Sequence, residues 1–149
     1  MKGTKYATAT PYLAAYVILR DGNKAAFVLR SHTHWMDGYW GLLAGKVEKN
    51  ETFTCAAIRE AKEEGGVTIT PADMSLKLIS QRHSEDSDWV DALFEVRHWE
   101  GEAYNAEPHI HAELRWFEVD DLPDRLIPEL KAYFLAIAGG KTFLEYGWE

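Results

Sequence analysis

A group of acidic residues, Glu60, Glu63 and Glu64, is the part of the sequence best suited to chemistry. Residues 54–64 contain no Gly or Pro and are rich in Ala, Arg, Lys and Glu, which predicts a helix. On a helix, positions i, i+3 and i+4 share a face, so the three carboxylates would stand close together and repel one another. A hard divalent ion such as Mg²⁺ relieves that repulsion, because it takes carboxylate, water and phosphate oxygens as ligands. The spacing therefore predicts a magnesium site on the helix.

The same helix is also compatible with an ordinary solvated face. In that interpretation, Arg59 and Glu63 form a surface i,i+4 ion pair. Cys55 and Ile58 are expected on the side opposite the acids, facing a core, with Ala61 on the flank. Cys55 is then a buried, small apolar residue rather than a reactive thiol.

The residues around the helix favour the metal site. The stretch Gly45–Val67 reads GKVEKNETFTCAAIREAKEEGGV and resembles the Nudix box, G-x5-E-x7-R-E-U-x-E-E-x-G-U, in which U is aliphatic. All seven fixed positions match. The stretch departs from the family at Ala61, where the pattern prefers Ile, Leu or Val, and at Leu43-Ala44, where many relatives have Pro-Gly.

This resemblance implies a role for each box residue. In the Nudix family, a water molecule attacks one phosphorus of a diphosphate linked to another moiety, and box glutamates hold Mg²⁺, or Mn²⁺ in its place, against the phosphates. The glutamates at the matching positions are Glu60, Glu63 and Glu64. Arg59 matches the arginine that orients a box carboxylate, and Glu51 matches the glutamate that supports the metal shell or the helix. Gly45 would let the backbone approach phosphate or metal, because it has no side chain.

Further site residues are implied outside the box. The loop from Trp99 to Pro108 resembles a loop of MutT-type members. Glu107 stands at the position of a residue that acts there as a metal ligand or catalytic base. Alternatively, Glu107 is simply one more acidic residue in an acidic loop. Arg30 corresponds to an arginine that touches substrate phosphate, or is a plain strand-end arginine. Trp35 and Tyr39 would stack on a base or pack into the core.

Two histidines, His109 and His111, alternate on what is predicted to be a strand edge, so both would reach one ion. Their two nitrogens, near Glu107, suggest a zinc site. The sequence shows no third close ligand, however, and no residue that would hydrogen-bond to the histidines and orient them.

Length and composition narrow the class of protein. The 149 residues are enough for a single domain spanning 1–149. A net charge of −8 argues against nucleic-acid polymers and anionic membranes as partners, which leaves a small nucleotide as the expected partner. The single cysteine excludes an internal disulfide and suits the cytoplasm. No targeting or transmembrane segment is evident.

The predicted elements agree with the fold that the resemblance implies. A hairpin turn at Asp21-Gly22-Asn23 separates two apolar runs, and Pro128–Ala138 is predicted as a second helix that Gly139-Gly140 ends. The predicted strands cover residues 12–20, 25–30, 40–43, 76–83, 89–99 and 114–119. We expect an α/β/α sandwich with a mixed β-sheet between helices. The apolar tail, residues 141–149, would cap the core or contact a partner in a homodimer.

The box predicts the chemistry but not the substrate. ADP-ribose hydrolases of the superfamily tend to carry a proline, and dinucleoside-polyphosphate hydrolases a tyrosine, in the region where this chain has residues 82–85, RHSE. The remaining similarity is to the MutT-type branch, which cleaves (deoxy)nucleoside triphosphates to monophosphate and pyrophosphate. Leu126 takes the place of the asparagine that reads oxidised guanine, so that specificity is not expected. The alternatives are a hydrolase of a nucleoside diphosphate-linked compound, such as a sugar nucleotide or dinucleoside polyphosphate, and a non-catalytic nucleotide sensor.

Overall fold

The structure, a computed structural model, describes residues 7–149; the first six residues of the predicted domain lie outside the described part. Within residues 7–149, eight strands form one mixed sheet and two α-helices pack against it. The helices are α1, Phe53–Gly65, and α2, Pro128–Ala138. The strands are β1 Tyr12–Asp21, β2 Lys24–Arg30, β3 Trp40–Gly41, β4 Leu43–Lys46, β5 Met74–His83, β6 Asp88–Val96, β7 His111–Glu118 and β8 Phe143–Tyr146.

The sheet divides along one edge of β1. The predicted hairpin is present, with Arg20 opposite Ala25 across a turn in which Gly22 has a φ of 60°. Nearer its start, the same edge of β1 pairs instead with β4, while its other edge runs parallel to β6. One strand edge bonds one neighbour at a time, so β2 and β4 diverge from β1 and open a cleft between them.

The two helices cover opposite faces of the sheet. Helix α1 lies over β1 and β4, and its Ala56, Ala57 and Ala61 join one buried cluster. Helix α2 lies over β5 and β8, and Leu130 and Tyr133 join the other. The alternation of side chains along β1 feeds both clusters. The predicted mixed sheet between helices is confirmed by this architecture.

The prediction for the back of α1 is wrong. Cys55 is exposed, and Ile58 is only partly buried. The buried stripe carries Ala56, Glu60 and Glu64, spaced four residues apart, beside Ala57 and Ala61. Small alanines allow the helix to approach β1 and β4 closely, so the face that carries two of the acids is the face that packs.

Two further segments differ from the prediction. The single strand predicted over residues 40–43 is two short strands, β3 and β4, which pair with β2 and β1 respectively. The predicted tail contains β8, which pairs in parallel with β5 through residues such as Ile79 and Phe143. The apolar tail residues therefore extend the sheet of their own chain. Across residues 7–149, no helix has both the length and the apolarity of a membrane span.

Candidate active site

Helix α1 delivers two of the three predicted carboxylates into the protein. Thr52 caps its start by accepting a hydrogen bond from the backbone N–H of Cys55, and Gly66, with a φ of 68°, ends it. Glu60 and Glu64 are each only 7% exposed. The backbone N–H of Ala44 in β4 donates to Glu64 Oε1 at 2.8 Å, which fixes that side chain against the strand.

Arg59 links the acids of the box loop to those of the helix. Its Nε and Nη2 donate to the two carboxylate oxygens of Glu51 at 2.8 and 2.9 Å, and its Nη1 donates to Glu60 Oε1 at 2.7 Å. The same Nη1 lies 3.4 Å from Glu63 Oε2. A planar guanidinium suits this forked contact. The hydrogen bonds from Arg59 lower the pKa of Glu51 to about 2, so Glu51 stays ionised and holds the arginine in place.

The buried acids resist ionisation. Burial raises the pKa of Glu60 to about 7, although Arg59 opposes the shift, and the charges of Glu63 and Glu107 add to it. Burial raises the pKa of Glu64 to about 9, with Glu60 and Glu107 adding to the effect and the N–H of Ala44 opposing it. A cation among these oxygens would remove the cost of ionising them.

The environment of Glu60 fits a hard metal ion. The backbone of Gly45 lies directly against the Glu60 carboxylate, so that any Cβ at this position would overlap it. Carboxylate oxygens such as those of Glu60 are ligands that Mg²⁺ prefers. Within residues 7–149, no three His, Cys, Asp or Glu side chains stand close enough together to hold an ion as they are. Glu60 is turned toward Arg59 and the side chain of Glu63 is 50% exposed, so ion binding requires both to rotate.

The loop before β7 brings Glu107 to the same place. The N–H of Tyr104 donates to the carbonyl of Gly65, and the N–H of Ala106 donates to the carbonyl of Glu64, so the loop is tied to the end of α1. The Glu107 side chain is 25% exposed and close enough to Glu60 and Glu64 to shift the pKa of both. The fold thus places Glu107 near the two buried box acids, Glu60 and Glu64.

His109 and His111 have different surroundings. The side chain of His109 is 71% exposed and its Nε2 lies 3.9 Å from Glu107 Oε2. His111 is 1% exposed, and burial lowers its pKa to about 4, so it is neutral. In the described part of the chain, neither histidine belongs to a group of metal-binding side chains, so the geometry does not support the suggested zinc site.

A cavity adjoins Glu64 and opens beside Trp35. Arg30 lines it, donates from Nε to the carbonyl oxygen of Trp35 at 2.9 Å and lies over the Trp35 ring at 4.9 Å. Tyr39 is not among the described residues that line the cavity; its ring contacts the guanidinium of Arg125 instead. The remaining lining residues include apolar side chains, Val28, Leu42, Ile127 and Leu130, and polar ones, Tyr16, His111 and Glu129.

The sequence did not indicate Tyr16 or Glu129 as site residues. Tyr16 falls on the same face of β1 as Ile18, and burial raises its pKa, so its hydroxyl stays protonated. Glu129 follows Pro128 in the first turn of α2 and is 9% exposed. The only sequence signal for Glu129 was its position in the first turn of an otherwise apolar helix. A carboxylate there more often interacts favourably with the helix dipole than with a ligand.

The family follows from comparison with known proteins. The family model described as the NUDIX domain matches residues 10–136. The chain belongs to the Nudix family. A MutT Nudix hydrolase from Burkholderia pseudomallei has a similar structure, with a TM-score of 0.76 and 26% identity, covering 85% of this chain and 97% of that one. A MutT protein from Methanosarcina mazei has a TM-score of 0.76 and 18% identity, covering 90% and 97%.

Among curated proteins, the NAD-capped RNA hydrolase NudC of Escherichia coli is 27% identical over 113 residues, or 76% of this chain. The match covers 42% of that protein, so this chain spans less than half the length of such relatives. Membership of the Nudix family agrees with the structural likeness to a Nudix hydrolase. The family generally uses divalent metal ions and acts on small nucleotide substrates.

Proposed function

We propose that this Nudix hydrolase is Mg²⁺-dependent, with Mn²⁺ able to substitute, and cleaves (deoxy)nucleoside triphosphates to monophosphate and pyrophosphate. One observation carries the proposal: Glu64 lies near Glu60 and Glu107 and also lines the cavity. A nucleotide with its nucleoside in the cavity would therefore present its phosphates to the carboxylates. The likeness to MutT proteins supports the triphosphate branch.

The roles of the residues follow from their positions. Glu60, Glu63, Glu64 and Glu107 would hold the metal, beside the backbone of Gly45. When bound, the metal would supply positive charge to the phosphates and lower the pKa of an attacking water. Arg59 positions the Glu60 carboxylate through its hydrogen bond. The water oxygen bonds to one phosphorus, the bridging oxygen leaves on the other phosphate, and the two protons of water go to a base and to bulk solvent.

The substrate contacts lie at the open side of the cavity. Arg30 carries the positive charge nearest to Glu64 in the lining and would pair with a phosphate oxygen. Trp35 is 49% exposed and would stack on a base. A contact from Tyr39 stays a prediction, because its ring is engaged by Arg125. The cytoplasmic location, the single domain over residues 1–149 and a homodimer are likewise predictions.

A second candidate is a nucleoside diphosphate-linked substrate. The comparison with NudC, an NAD-capped RNA hydrolase, favours it. A structure named UDP-X diphosphatase, with a TM-score of 0.67, shares the fold. The non-catalytic sensor is disfavoured, since a sensor has no need of several carboxylates that raise each other's pKa.

A turnover screen with Mg²⁺ separates these candidates. It compares nucleoside triphosphates, diphosphosugars, NAD, ADP-ribose and dinucleoside polyphosphates at equal concentration, with products resolved by chromatography. We expect triphosphates to give monophosphate and pyrophosphate at the highest kcat/KM. Faster turnover of any diphosphate-linked compound than of every triphosphate would overturn the branch assignment. No turnover of any substrate would favour the sensor.

A further inference from the structure

The cavity beside Glu64 contains a carboxyl group that phosphate chemistry does not use. Glu129 lines this cavity and is 9% exposed. Among the residues described, its carboxylate is hydrogen-bonded only by its own backbone N–H. Arg82, whose charge acts on Glu129, is committed to Asp91 by hydrogen bonds of 2.7 and 3.3 Å. A buried carboxyl group with a single hydrogen bond keeps unused acceptor capacity, which a polar group of a ligand can fill.

His111 gives a second, independent sign of a ligand. It lines the same cavity, and its buried Nδ1 has no hydrogen-bond partner within residues 7–149. A neutral imidazole ring offers one donor and one acceptor, so the unpartnered Nδ1 is free to bond to a ligand. Two buried polar side chains from different elements, β7 and α2, thus share one cavity without being bonded to each other.

The cavity has apolar as well as polar walls. Val28, Leu42, Ile127 and Leu130 line it beside the polar side chains of Tyr16, Arg30, Glu64, His111 and Glu129. Pockets for planar ligands have this composition, in which apolar walls bind the body and a few polar groups fix its orientation. With the phosphates at Glu64, the group that enters is the base of a nucleotide.

We propose that Glu129 and His111 read the edge of the nucleobase, and that Glu129 accepts a hydrogen bond from an exocyclic amino group. The substrate class is then nucleotides of amino-bearing bases, in preference to uracil, thymine and hypoxanthine. A carboxylate oxygen that faces an amino group gains a bond, whereas one that faces a carbonyl oxygen gains none and repels it. The inference rests on the proposed function in one respect, that the cavity takes the nucleoside part of the substrate.

The test uses matched pairs of ligands that differ in one amino group. Binding of CMP against UMP, and of GMP against IMP, is measured by calorimetry with Mg²⁺ present, and kcat/KM is measured for the corresponding triphosphates. In the wild type, we expect the amino-bearing member to be favoured by about tenfold or more, the scale of one well-made hydrogen bond. In Glu129→Gln, whose amide both donates and accepts, the ratio should fall toward one.

Controls separate this inference from the proposed function. Glu145→Gln changes an exposed glutamate on β8 and should leave both ratios unchanged. For His111, ligand binding should shift the ¹⁵N resonance of Nδ1, and His111→Phe should weaken all four monophosphates. Equal affinities within each pair in the wild type would overturn the inference, even if triphosphates are hydrolysed. Unequal affinities without triphosphate turnover would uphold it and overturn the triphosphate assignment alone.

Discussion

At the scale of single residues, the three box acids are not equivalent. Glu60 and Glu64 are buried, with pKa values raised to about 7 and about 9. Glu63 is half exposed and is bound by Arg59 at 3.4 Å. The sequence pattern treats all three as one face of a helix, whereas the fold assigns two to the interior and one to the rim.

We expect the loss of one metal-ligand charge to abolish most activity without unfolding the protein. Glu63→Gln and Glu64→Gln keep the size and the helix propensity of the side chain. A metal contributes several kcal/mol to a phosphoryl transition state, so turnover with Mg²⁺ should fall by roughly 10³-fold. Lys62→Gln is the matched control, because Lys62 is exposed on the same helix and should stay within a few-fold of wild type. Near-wild-type turnover in both glutamate variants would contradict the assigned metal site.

Gly45 tests the same site from the backbone side. An added Cβ would overlap the Glu60 carboxylate, so Gly45→Ala must displace that carboxylate from its place beside Arg59. We expect weaker Mg²⁺ activation, seen as a higher metal concentration for half-maximal rate. The control is Gly139→Ala at the end of α2, where an added Cβ would meet only ordinary contacts. Gly140→Ala is unsuitable as a control, because Gly140 has a φ of 78°, which strains a residue with a side chain. Equal metal dependence in Gly45→Ala and Gly139→Ala would show that the close approach is unimportant.

At the scale of elements, α2 is joined to the sheet by a buried polar link. Tyr133 in α2 donates to Asp91 Oδ2 in β6 at 2.6 Å, and Arg82 in β5 donates to the same oxygen at 2.7 Å. Asp91 is fully buried. The link holds the helix that carries Glu129 against the strands that carry the core.

Breaking this link should destabilise the protein strongly. Asp91→Asn leaves the buried Arg82 without its counter-charge, which costs about 3–5 kcal/mol in comparable pairs. Denaturant unfolding in the absence of metal measures this as a lower midpoint. Tyr133→Phe removes only one donor and should cost about 1–2 kcal/mol. A loss from Asp91→Asn no larger than that from Tyr133→Phe would mean that the ion pair contributes little.

At the scale of the whole molecule, the buried acids make stability depend on pH and metal together. A glutamate in the unfolded chain has a pKa of about 4.3, whereas Glu64 has a pKa of about 9 and Glu60 of about 7 when folded. Between these values the folded state binds more protons than the unfolded state. The free energy of unfolding of the metal-free protein should therefore fall as pH rises. Between about pH 5 and 7 both glutamates contribute to the fall, and from there to about pH 9 only Glu64 does.

Thermal unfolding across this pH range measures the effect. Adding Mg²⁺ or Mn²⁺ should raise the melting temperature most at high pH, because the ion stabilises the ionised acids. A non-coordinating salt at equal ionic strength is the control. Glu64→Gln should flatten the metal-free profile above pH 7. A flat profile in the wild type, or equal shifts with metal and control salt, would contradict the coupling.

The sequence determined those features that depend on local spacing. The hairpin at Gly22 and helix α2 appear where they were predicted, and α1 extends one residue beyond the prediction at each end. Turn residues, caps and helix propensities act within a few residues, so they are readable without the fold. The box likewise predicted the helix that carries its acids, whereas their joint role in binding a metal stays a prediction.

Apart from Glu107, which the family resemblance already suggested, only the tertiary structure decided which groups lie near that helix. Glu107 reaches the acids because backbone hydrogen bonds tie its loop to Gly65 and Glu64. Glu129 and His111 meet because α2 and β7 pack around one cavity, and β8 joins the sheet through pairing with β5. Cys55 is exposed because packing selected the alanine stripe of α1. These outcomes depend on contacts between residues distant in the chain, which no local pattern records.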